Sequence, residues 1–322
     1  MSVRDAQLSC SAAPSATLSC DERKVLVASL VTLAAAVLSG YRAQEPVASP
    51  PRERDTEAVG RRGPSRTVLP VNQVVTPLGT QVELPGLRPQ ALALSPDGRI
   101  LITSGKTSEL VVVDPGTGAV RQRVELPKTK ADPQAPSANV LRPDKDGQLS
   151  YTGLRFSPDG RRAFLSDVNG SVVVLDVAED ATLSVSRAIP LPDARAPRRR
   201  EEIPAGLAVS PDGKTLYVCG NLSNTLLELD VASGRVLRVF DVGVAPFDVV
   251  LAGGKAYVSN WGGRRPLSGE LTGPAGRGTV VKVDPVRHVA SEGSVTVIDL
   301  ASGKPRAEIV TGLHASALAV SP

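Results

Sequence analysis

Side chains suited to chemistry gather in one stretch of this sequence. Asn260-Trp261-Gly262-Gly263-Arg264-Arg265 sets the only tryptophan beside an arginine pair, and the only two histidines, His288 and His314, follow it. Guanidinium forks match carboxylate and phosphate oxygens, so Arg264 and Arg265 read as an anion clamp, with Asn260, Trp261, His288 and His314 as its surroundings. A second reading stays open beside it, in which Trp261 packs its loop down and the arginine stems cover apolar surface. Two histidines without a His-x-His pair or an acidic companion are a poor metal set, and no metal or other cofactor is expected. Neither Gly-x-Ser-x-Gly, nor Ser-x-x-Lys in a fitting context, nor a phosphate-binding glycine loop occurs, so no catalytic residue is assigned.

Composition narrows the scaffold that must position these groups. With 29 Gly and 27 Pro in 322 residues, the chain is too turn-rich for a helical bundle and too poor in glycine for collagen. An all-β chain with tight turns fits. The formal charge is +4, but half of it belongs to residues 42–66, where six arginines face four acids. The basic run of the remainder, Arg198-Arg199-Arg200, is followed by Glu201-Glu202 and reads as a solvated loop. With aromatic residues at 3%, there is no stacking platform, and nucleic acid is not an expected partner.

The beginning of the chain has the pattern of an export signal. Asp21-Glu22-Arg23-Lys24 precedes an uncharged run from Val25 to Leu38, then the small residues Ser39 and Gly40. The run is shorter than the roughly 20 apolar residues that span a bilayer, and Tyr41 stands where a lipid-bearing cysteine would have to be. We therefore divide the chain into an export segment, 1–43, a disordered Pro/Arg-rich linker, 44–69, and a globular part, 70–322. A periplasmic or secreted protein without a stable membrane anchor is expected. Cys10 and Cys20 would leave with the signal, and Cys219, inside Leu216-Tyr217-Val218-Cys219, reads as a small buried hydrophobe.

The globular part is an internal repeat. Ser95-Pro96-Asp97-Gly98 recurs as Ser157-Pro158-Asp159-Gly160 and Ser210-Pro211-Asp212-Gly213, each after a short apolar run. A second strand, a polar break and a third strand ending in Asp114, Asp176, Asp230 or Asp299 follow, and turns such as Asp114-Pro115-Gly116-Thr117-Gly118 lead into a fourth. Four short strands per unit with tight turns describe a β-propeller blade. A fourth unit carries Ala252-Gly253-Gly254 in place of the motif, and a fifth begins at Ser316. The fold expected is an incomplete β-propeller of about four blades plus the first strand of a fifth. Three connections are enlarged, over 128–150, 190–203 and 261–290. In an antiparallel blade, interblade loops share a face with second-to-third-strand loops, so all three fall on one face, where binding is expected.

Leu216-Tyr217-Val218-Cys219-Gly220-Asn221 and Ala256-Tyr257-Val258-Ser259-Asn260, with Val295-Thr296-Val297-Ile298-Asp299 downstream, resemble YVTN-type (YncE-like) β-propeller repeats. The stretch Val258 to Pro266 looks like the propeller portion of bacterial propeller proteins that carry an alkaline-phosphatase-like phosphoesterase domain. That resemblance implies a seven-bladed ring closed by an outer strand from residues 71–84. A ring of four blades would leave flanks open, so either the sequence is a fragment, another chain completes the ring, or open blade edges self-associate. The function expected is an exported, non-catalytic binding or interaction module, its partner an anionic small molecule or a protein on the insertion face. The alternatives are the propeller portion of a secreted phosphoesterase and a lactonase-like propeller hydrolase.

Overall fold

The computed structural model describes residues 58–63, 65–70, 73–105, 109–127, 149–277 and 279–321. The expected export segment lies outside them. The chain divides into two compact units, Met1–Thr76 and Pro77–Pro322. The first contains a small antiparallel meander of two-residue strands, β1 (Gly60–Arg61), β2 (Thr67–Val68) and β3 (Val74–Val75). The first two fall within the expected linker, 44–69.

The second unit is all-β. Four antiparallel meanders follow one another: β4 (Pro89–Leu94), β5 (Leu101–Gly105), β6 (Glu109–Val113) and β7 (Val120–Glu125); β8 (Leu149–Phe156), β9 (Arg162–Asp167), β10 (Ser171–Val177) and β11 (Leu183–Pro190); β12 (Pro204–Val209), β13 (Thr215–Gly220), β14 (Thr225–Asp230) and β15 (Val236–Asp241). The last, β16 (Pro246–Ala252), β17 (Lys255–Asn260), β20 (Gly293–Asp299) and β21 (Lys304–Thr311), is interrupted by a separate hairpin, β18 (Thr272–Pro274) and β19 (Val280–Lys282). The first strands β4, β8, β12 and β16 are neighbours in succession, and a central groove is lined by Leu92, Arg155, Ala208, Val250 and Leu318. These are four blades of a β-propeller.

Burial explains the strand sequences. A third strand lies between two neighbouring sheets, so β10 buries consecutive residues Val172, Val173, Val174 and Leu175, each contributing about 2 kcal/mol. Outer strands alternate instead, as β11 does. Leu154, Val112 and Val173 join blades one and two, Phe164, Leu216 and Leu227 join two and three, and Cys219, Leu226 and Val258 join three and four. The other flank of blade one is covered by Leu84 and Leu87, packed on Leu101, Val111 and Val113. The segment around them forms no strand.

The motif turns are built alike. Gly98 N–H bonds Ser95 O at 2.9 Å with Gly98 at φ +72°, and the Ser95 hydroxyl donates to Asp97 Oδ1 at 2.6 Å. Hydrogen bonds from Ser95 and Arg99 hold the Asp97 carboxyl well below its ordinary range. Asp114, Asp230 and Asp299 cap the second turn of their blades by accepting backbone N–H groups. Asp176 departs from this pattern: the turn after it is capped by Asp180, with Ala181 at φ +68°.

Residues 316–321 take the place of a fifth first strand. The Ser259 hydroxyl donates to Ser316 O, as the equivalent Ser166 donates to Ala205 O in the next blade at 2.6 Å. Leu318 N–H bonds Asp248 Oδ2 at 3.0 Å. Among the described residues this segment forms no strand ladder.

Candidate functional site

Two of the three enlarged connections meet on one face. Arg198 N–H donates to Arg277 O at 2.9 Å, tying the 190–203 loop to the 261–290 insertion. Of the third, residues 128–148 lie outside the described residues. The run Arg198 to Glu202 is more than the solvated loop expected from its charges. Glu202 is buried, its carboxylate accepting from the N–H groups of Ile203, Leu222 and Ser223, and Arg199 Nη2 reaches Val168 O at 2.6 Å. A carboxylate can be buried here because backbone donors replace its water.

The long insertion forms a small core in which Val281, Val283 and Ala290 pack with Val244 of the connection before β16. Its second turn copies the blade turn: Asp284 Oδ1 accepts from Val286 and Arg287, and His288 N–H bonds Asp284 O at 2.9 Å. His288 stands at φ +55°, where the equivalent turn of blade one has Gly118. Its position is therefore that of a turn residue.

Both arginines of the expected clamp are engaged within the chain. Arg264 forms a fork with Glu270, at 2.9 and 2.5 Å, and lies 3.5 Å from Glu292, while Lys282 pairs with the same two acids. This network pulls the Glu270 carboxyl down to about 2, chiefly through the Arg264 hydrogen bond. Arg265 Nε donates to Val242 O at 2.8 Å, and its Nη2 reaches Asn224 O and Asp241 Oδ1. An anion would have to compete with these partners. Trp261 and His314 come together as a stacked pair, ring centroids 4.0 Å apart, with Trp261 43% exposed.

Asn260 is fully buried and organises a polar network that sequence reasoning missed. Its Nδ2 donates to Ser294 Oγ at 3.1 Å and Thr296 Oγ1 at 2.9 Å, and both hydroxyls donate to Glu308, Thr296 at 2.6 Å to Oε2. Gly243 N–H also bonds Thr296 Oγ1, at 3.2 Å. A legible signal existed. The third-strand position that holds Val111, Val173 and Leu227 in the first three blades holds Thr296 in the fourth, directly paired with Glu308. A cleft of about 430 Å³ runs past Thr296 and Glu308, between Asp241–Gly243 and Pro305–Ala307, with Arg264, Arg265 and Arg306 in its walls. Among the described residues, no group of three or more His, Cys, Asp or Glu side chains could hold a metal ion.

No protein-family model matches the sequence, and no curated protein matches it. Among solved structures, the chain is similar to Kuenenia stuttgartiensis hydrazine synthase, with 21% identity and a TM-score of 0.47, over 73% of this chain and 52% of that one. It is also similar to U3-55K, with 12% identity and a TM-score of 0.45, over 73% of this chain and 55% of that one. The chain thus spans about half the length of the solved chains it matches. With TM-scores below 0.5, neither likeness adds to what the strand order itself shows.

Proposed function

We propose that this chain is an exported, non-catalytic β-propeller of the YVTN type that binds a protein partner through its insertion face. The observation that carries the reading is the apolar surface of the 261–290 insertion. Leu267 is 66% and Val286 83% exposed, and Leu271, Val280, Val289 and Trp261 are exposed with them. Apolar side chains concentrated on an insertion that is itself packed down on the blade are a surface for another protein, and a half-exposed tryptophan suits the centre of such a contact. The engagement of Arg264 and Arg265 by internal acids favours a protein over the anionic small molecule. Export rests on the signal-like run from Val25 to Leu38, and the YVTN-type reading rests on Tyr217 and Tyr257 in the second strands of their blades.

The test is capture of partners from the envelope and medium fractions of the source organism on immobilised full chain. Trp261→Ala and Val286→Asp should each release a partner that wild type retains, whereas Asp180→Asn, on the opposite face, should not. Equal retention by all variants overturns the assignment of the face.

A further inference from the structure

The insertion face accounts for the apolar residues and the arginines, but not for the polar network beneath Gly243. Where blades two and three bury Val173 and Leu227, blade four buries the hydroxyl of Thr296, which pairs with Glu308 on an outer strand exposed along its length. The network gives Glu308 a fixed orientation. Thr296 Oγ1 accepts from Gly243 N–H and from Asn260 Nδ2, Ser294 Oγ accepts from Asn260 Nδ2, and the same Nδ2 lies 3.3 Å from Glu308 Oε1 as a further donor. These donors cannot accept, so each hydroxyl directs its single proton to Glu308, one to each carboxylate oxygen.

Charge completes the argument. Around the cleft every other acid has a cation: Asp241 has Arg195 and Arg265, Glu270 and Glu292 have Arg264 and Lys282, and Asp299 has Arg306. Glu308 alone among them forms no ion pair with the described residues, although it lines the cleft. A second acceptor waits nearby. Asn260 Oδ1 is buried with no hydrogen-bond partner among the described residues, and the Asn260 amide is pressed against Gly243, a residue of the cleft wall. A Cβ at Gly243 would stand 2.5 Å from Asn260 Cγ. Glycine there leaves room for the buried amide behind the cleft wall.

We propose that Glu308, with Thr296, Ser294 and Asn260 behind it, is a subsite for a cationic nitrogen, the ammonium or guanidinium group of a basic side chain. The proposal rests on the protein-binding reading of this face, since the cleft opens at Asp241–Gly243 and Arg264–Arg265, beside the insertion. The arginines in its walls are each ion-paired, Arg264 with Glu270, Arg265 with the Asp241 that also pairs Arg195, and Arg306 with Asp299, so their charge is partly offset. A basic side chain entering between them would exchange water for a carboxylate already aimed at it, which is the low-cost form of charge recognition.

The experiment titrates the full chain with acetyl-lysine N-methylamide, its uncharged isostere acetyl-norleucine N-methylamide, and putrescine as a free amine, followed by saturation-transfer NMR. The lysine probe should bind and the norleucine probe should not. Glu308→Gln keeps the shape of the side chain and should weaken the lysine probe about tenfold or more, the effect of removing a charged hydrogen-bond partner. Thr296→Val should weaken it less, because it loosens the carboxylate without removing it. Matched urea midpoints of wild type and Glu308→Gln separate loss of binding from loss of fold. Binding of the lysine probe above putrescine supports a protein side chain as the source, and the reverse assigns the same subsite to a free amine. Unchanged lysine binding in Glu308→Gln overturns the subsite, as does equal loss in Asp180→Asn. Partner capture that fails while the amine still binds sinks the protein-binding reading alone.

Discussion

Replacing Gly243 by alanine should be among the most damaging small changes in the molecule. Gly243 has an ordinary backbone, so the reason for glycine is space. Its Cβ would lie 2.5 Å from Asn260 Cγ, 2.5 Å from Gly263 O and 2.6 Å from Asn260 Nδ2, all well inside van der Waals contact. Neither neighbour can yield easily. Gly263 O accepts from Val244 N–H at 2.7 Å, and Asn260 is fully buried with its amide committed to Ser294 and Thr296. Overpacking costs about 1–3 kcal/mol, and a displaced Asn260 forfeits two buried hydrogen bonds at about 1 kcal/mol each. The stiffer unfolded chain of the alanine variant returns somewhat less than about 1 kcal/mol. A net loss of about 3 kcal/mol is expected. Urea unfolding of the full chain, read by circular dichroism, measures it as a lowered midpoint at unchanged slope. Gly253→Ala is the comparison: that glycine has nothing within 4 Å but sits at φ +55°, so its cost is backbone strain of about 1–2 kcal/mol. A Gly243→Ala variant within about 0.5 kcal/mol of wild type would refute the steric reasoning and the rigid placement of Asn260 with it.

Other consequences can be checked independently. His288→Val should destabilise the chain by about 1 kcal/mol because a β-branched residue tolerates positive φ poorly, whereas His288→Gly should not, and thermal unfolding of the pair decides this. Glu270 titrates near 2 in the folded chain against an ordinary 4.5, so the unfolded chain takes up its proton first on acidification. Its contribution to stability is present above about pH 4.5 and is lost as the pH falls toward 2; Glu270→Gln should flatten that part of the stability profile, and an unchanged profile would remove the role given to its pair with Arg264. Burial pushes the Cys219 thiol well above its ordinary range, so its peptide should resist iodoacetamide in the native chain and react in urea; rapid native alkylation would contradict the packing between blades three and four.

Much of the fold was legible because its signals are local. A Pro-Asp-Gly turn after an apolar run is decided within five or six residues, and all three occurrences are built alike. The degenerate turn at Gly253-Gly254 was equally readable, since two glycines at positive φ close a two-residue hairpin between Ala252 and Lys255. The site was less legible. Arg264 and Arg265 have the residue type of an anion clamp, but their partners, Glu270, Glu292 and Asp241, come from separate stretches of chain. Glu202 looked like part of a solvated charge run, and only the turn at Leu222-Ser223, twenty residues on, supplies the donors that bury it.

By itself, the sequence determined the all-β class, the repeat and the turn chemistry, because each follows from strand period, φ preferences and chain connectivity. The tertiary structure decided which charges are neutralised and which are not. It stacks Trp261 on His314, places His288 at a hairpin turn, and leaves Glu308 oriented by hydroxyls without a cation among the described residues. Those outcomes depend on distances across strands and between blades, and electrostatic pairing falls off too steeply with separation and solvent exposure to be read from residue types along a chain.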